Sequence, residues 1–150
     1  MQSNIHGLIS ISLFFMAVSV AMGAVIPKSI ILSLIYLLIV ILCFVNIVIS
    51  YCSKCTCKEK ECSHLFPGLL AKYFPNKKIN KYSYLDIFVT LISLSAILII
   101  PHFWLIYNIP SLILFWIFIV TSFLEKILFV CHECSNVNCI LAKRKVKIKK

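Results

Sequence analysis

Seven of the eight cysteines in this chain fall in two short patches, and thiols so closely spaced either hold soft metals or exchange electrons. The first patch, residues 51–64, reads YCSKCTCKEKECSH and carries Cys52, Cys55, Cys57, Cys62 and His64. The second, CHECSNVNC over residues 131–139, carries Cys131, His132, Cys134 and Cys139. Cys52/Cys55 and Cys131/Cys134 are C-x2-C pairs, and two such pairs supply the four sulfurs of a tetrahedral zinc or iron–sulfur site. Cys62 and Cys139, with Cys57 or His64, are left to form or complete a second site. Ligand type alone does not choose the metal. No proline follows the last cysteine, which leans toward zinc, while the excess of cysteine over histidine leans toward a cluster. Lys54, Lys58 and Lys60 around the first patch favour the thiolate form. Cys43 lies apart, inside an apolar run, and reads as a small buried hydrophobe.

What must position these patches is a membrane. Of 150 residues, 61% are hydrophobic and only 13% charged, too few to cover a soluble fold of this size. The apolar residues come in runs long enough to cross a bilayer as helices. The expected spans are residues 8–26, 29–50, 84–100 and 110–130, giving an all-α membrane protein of four transmembrane helices. Small residues near the end of the first run (Ala21, Gly23, Ala24) suggest a cleaved signal peptide. The missing basic residue before Leu8 and the length of the run argue for a retained span instead. Pro27 cannot continue a helix, so the first two spans form an antiparallel hairpin around Pro27–Lys28. Ser83 is the expected N-cap of the third span, with Asp86 in its first turn, and Pro110 fits the first turn of the fourth. Residues 65–73 (LFPGLLAKY) are too short to span and read either as a helix in the headgroup plane or as a loop over the helix ends.

Fourteen of the fifteen lysines and arginines lie in the patches, the central loop, the end of the fourth span and the tail, and only Lys28 lies on the other side. The positive-inside rule then places the chain in the cell membrane with both termini cytoplasmic. Cytoplasmic thiols are held reduced, which favours metal ligation or redox chemistry over a disulfide framework. Each half of the chain is a hairpin ending in a cysteine patch. A pseudo-twofold repeat about the membrane normal would therefore bring the two patches together.

Other chemistries fit less well. S-acylation accounts for juxtamembrane Cys52 and Cys131 but not for the C-x2-C spacing; with it the chain would be a metal-free membrane scaffold or assembly subunit. The spans lack the interior charges of an ion or proton path, since Asp86, Glu125 and Lys126 sit near the membrane edge and suit capping and snorkelling. Asp86 or Glu125 is also available to a metal site as an oxygen ligand or outer acceptor. His6 and His102 lie near opposite faces, which disfavours a bis-histidine haem. The basic tail, residues 143–150, suits anionic lipid headgroups better than nucleic acid. A second copy or another membrane protein is compatible as a partner. No catalytic serine motif, phosphate loop or H-E-x-x-H occurs, so an enzyme would have to use the cysteines themselves.

The spacing Cys-x2-Cys … Cys-x5-Gly at Cys52, Cys55, Cys62 and Gly68 resembles a pattern in uncharacterised small four-helix membrane proteins of archaea and bacteria. So does Cys-x2-Cys-x-Asn-x2-Cys at Cys131, Cys134, Asn136 and Cys139. The extra Cys57 and the lysine tail depart from that pattern. The resemblance implies the architecture and the ligand set, and no activity.

Overall fold

The computed structural model describes residues 2–54, Pro67, Leu70, Ala71, Tyr73, Phe74 and 82–131, with side chains from Ile5 onward. Helix α1 covers Gln2–Val25 and α2 covers Ile30–Ser50, followed by a 3-10 turn at Cys52–Lys54. Helix α3 covers Tyr84–Ile99, the short α4 His102–Leu105 and α5 Ile109–Glu125, which runs into a π-helical turn at Lys126–Val130. Four helical stretches are long and apolar enough to cross a membrane: Ile5–Val25, Ile30–Lys54, Tyr84–Leu105 and Ile109–Val130. Within residues 65–73, Pro67, Leu70 and Ala71 are helical.

The helix ends follow from local chemistry. After α1, Pro27 sits in a turn whose Lys28 and Ser29 amides both return to the Val25 carbonyl at 2.9 Å. The Ser29 hydroxyl then caps α2 by accepting the Leu32 amide at 3.3 Å. At the start of α3, Ser83 and Asp86 form a capping box, with the Ser83 amide donating to Asp86 Oδ2 at 2.8 Å. Asn108 caps α5 through the Ser111 amide at 3.4 Å, and Pro110 occupies a first-turn position that needs no donor. The one boundary that moves is the first. α1 begins well before Leu8, because the upstream turn carries His6, which finds a partner on α5.

Packing sorts the spans into two antiparallel pairs. α1 lies along α5, and α2 lies along α3. Ser10 and Ser122 join the first pair reciprocally: each hydroxyl donates to the other's carbonyl, at 3.0 and 2.8 Å. The close packing expected within the α1–α2 hairpin therefore falls between sequence-distant helices, and α1 touches α2 less extensively. The reason is that a four-residue turn fixes only where two ends meet. Helix association in lipid depends on close approach and interhelical hydrogen bonds, and the buried small residues Ser10, Ala17 and Ala21 of α1 provide both. A core of Ala17, Val18, Ala21 and Val25 with Tyr36, Val40, Ile97, Trp104, Leu105 and Phe115 fills the half of the bundle nearest the α1–α2 turn. Outward residues such as Ile31, Leu34, Leu85 and Phe103 stay exposed, an apolar surface suited to acyl chains.

Candidate functional site

The two ends of the bundle differ in chemistry. At the end holding the α1–α2 turn, the Trp104 indole N–H donates to the Ala21 carbonyl at 2.9 Å, and its ring meets Tyr36 edge-on at 5.3 Å. The Tyr36 hydroxyl donates to the Ile97 carbonyl at 3.2 Å. His102 is satisfied on both nitrogens: Nδ1–H donates to the Leu98 carbonyl at 2.8 Å, and Nε2 accepts the Trp116 N–H at 3.1 Å. That tautomer leaves no ring nitrogen for a metal. Lys28 lies over the Tyr107 ring at 4.9 Å, an arrangement suited to an interfacial aromatic belt.

The opposite end carries the thiols. Cys52 opens the 3-10 turn after α2, and Cys131 closes the π-helical turn after α5, its amide bonding the Lys126 carbonyl five residues back. Both are half-buried thiols. They approach from different helix pairs, and the half-buried Lys126 ammonium lies within electrostatic reach of both. The sequence pointed to Lys54, Lys58 and Lys60 as thiolate-favouring lysines of the first patch; Lys54 forms an ion pair with Asp86, also half-buried, and Lys58 and Lys60 lie outside the described residues. Lys126, in the turn after α5, lies within electrostatic reach of Cys52 and Cys131. Nothing in its position along the chain announces this, because only packing of α5 against the other pair brings it to Cys52.

Asp86 and Glu125, the two acids available to a metal site, both have partners here. Asp86 is taken by Lys54 and the Ser83 amide. Glu125 Oε2 accepts from His6 Nδ1–H at 3.0 Å. The His6 ring also stacks flat on Phe129, centroids 4.3 Å apart and planes 7° from parallel. Tyr51 stacks on Tyr82 at 4.7 Å and, with the Lys54–Asp86 pair, ties α2 to the start of α3. Among the described residues of the four spans, every aspartate, glutamate and lysine side chain (Lys54, Asp86, Glu125 and Lys126) lies at this end.

Of the candidate ligands, Cys52 and Cys131 are therefore brought to the same end, whereas Cys55, Cys57, Cys62, His64, Cys134 and Cys139 lie outside the described residues, as does the tail at 143–150. Among the described residues no three of histidine, cysteine, aspartate and glutamate are grouped to hold a metal ion. Cys43, within α2, is half-buried and hydrogen-bonded to Ser93 of α3. The interhelical roles of Ser10, Ser122 and His6 are not evident from sequence. A polar residue spaced along an apolar run is the signal that could have found them. Comparison of the chain with protein-family models, with characterised proteins and with solved structures finds no match.

Proposed function

We propose that this chain is a multi-pass protein of the cell membrane that binds a soft metal at one end of its helical bundle, as zinc or as an iron–sulfur cluster. Cys52, Cys55, Cys131 and Cys134 form the first site, and Cys62 and Cys139 with Cys57 or His64 form or complete a second. The metal pins the two hairpins together or relays electrons. The observation that supports this reading is that Cys52, after α2, and Cys131, after the π-helical turn, put the first cysteine of each patch at the same end of the bundle. A four-thiolate site is anionic, and a nearby ammonium offsets that charge. The packing pattern also supports a pseudo-twofold repeat of two hairpins: an axis exchanging α1 with α3 and α2 with α5 exchanges the two close pairs with each other. Both termini face the cytoplasm, where the basic tail meets anionic headgroups.

Elemental analysis of the detergent-purified protein tests the metal. The expected result is about one zinc or one cluster per site. A brown protein with broad visible absorbance selects the cluster. Metal near zero, with acyl groups on the cysteines, would replace this reading with a lipid-anchored scaffold. Orientation is tested by labelling with a membrane-impermeant thiol reagent: modification of Cys57 and Cys139 only from the outside would reverse the compartment.

A further inference from the structure

Among the described residues, the thiol end holds a side-chain pair between sequence-distant helices that neither capping nor metal ligation uses. His6, one turn inside α1, reaches Glu125 at the last residue of α5, and both side chains are partly buried, 31% and 22% exposed. The same imidazole stacks on Phe129 in the π-helical turn that leads to Cys131. Thus one side chain of α1 grips the root of the second cysteine patch at two points, one electrostatic and one flat. One turn deeper, the reciprocal Ser10–Ser122 bonds hold the two helices regardless of charge. They leave the His6 contact as the outermost tie between α1 and this turn among the described side chains. π-Helical turns are rare, and single ones within α-helices are frequent at functional sites.

We propose that His6 and Glu125 form a proton-responsive latch that fixes the Lys126–Val130 turn, and with it the departure point of the second patch, against α1. With imidazolium at His6 the contact is an ion pair. With neutral imidazole it is an ordinary Nδ1–H hydrogen bond to carboxylate, weaker by loss of one charge. Proton binding at His6 thus tightens the turn, and alkaline conditions slacken it. Protonation of Glu125 in stronger acid would undo it again. The charged and titratable groups around the latch are Glu125 on α5, Lys126 on the turn with Cys131 beyond it, and Cys52 at the end of α2. Lys126 opposes the imidazolium, but it lies over the Phe14 ring at 5.8 Å and within reach of the two thiols. The latch stands on its own geometry and needs no bound metal.

The test is a double-mutant cycle on chelator-stripped full-length protein, read as thermal midpoint in detergent at about pH 6 and about pH 8.5, either side of the usual histidine range. His6→Phe keeps a flat ring on Phe129 and removes the pair, and Glu125→Gln keeps an acceptor without charge. The expected result is a coupling of about 2–4 °C near pH 6 that falls to less than half near pH 8.5. His6→Gln should reproduce the loss. Equal coupling at both pH values, or strict additivity at both, would overturn the latch. Because the protein is stripped, a chain that never binds metal changes the functional reading and leaves this result standing.

Discussion

Trp104 and His6 hold together opposite ends of the same bundle by opposite means. Around Trp104 the contacts are neutral and fully satisfied, with Tyr36 only 1% exposed and two aromatic donors bonded to helix carbonyls. At the end that carries His6 the contacts carry charge: His6 with Glu125 and Lys54 with Asp86, with Lys126 in electrostatic reach of Cys52 and Cys131. The contacts of Trp104 and Tyr36 therefore join neutral groups, while the thiol end gathers the carboxylates described in the spans with Lys54 and Lys126. The difference separates a part of the fold that sets geometry from a part equipped for chemistry.

The comparison can be broken most severely at Trp104. Trp104→Ala should cost about 3–5 kcal/mol in denaturant or thermal unfolding, because it empties a buried site and leaves Tyr36 without its edge contact. Any metal content of the folded fraction should stay unchanged; loss of metal in step with stability would show that the two ends are not separate. Next in size, Cys52→Ser and Cys131→Ser should each weaken metal binding tenfold or more (~10–100-fold) and by similar factors, as assayed by competition with a chelator. A large loss from one and none from the other would argue against a shared site.

Smaller effects sharpen the picture at the thiol end. Asp86→Asn should cost about 1 kcal/mol in unfolding assays, since it loses both the ion pair and its charge at the start of α3. Lys54→Met should cost less, because the capping contact survives. Smallest of all, Ser10→Ala or Ser122→Ala should cost about 0.6 kcal/mol, the usual size of an interhelical hydrogen bond in lipid. The double substitution should cost little more than either single one, because the two hydroxyls act as one reciprocal unit.

Much of this was legible from residue type and order. Pro27, Ser29, Ser83 with Asp86, and Pro110 mark helix boundaries because capping and proline chemistry are local. The four spans follow from run length alone. Packing partners were not legible. Apolar residues surround these helices on all sides, so hydrophobic periodicity does not say which face meets which neighbour. That is why the pairing of α1 with α5 and the assignment of Glu125 to His6 emerge only in three dimensions. The same limit explains Lys126: a lysine near a span end reads as a snorkelling residue until Cys52 arrives from another helix.

The account depends most on the two patches starting from one place. In a variant keeping only Cys52 and Cys131, with every other cysteine changed to serine, a short bifunctional thiol reagent applied to membranes should join the two residues within one chain. Intact mass and peptide mapping read the product. An intramolecular Cys52–Cys131 cross-link as the main species is the predicted result. Modification of both thiols as separate single adducts, with no link between them, would contradict it.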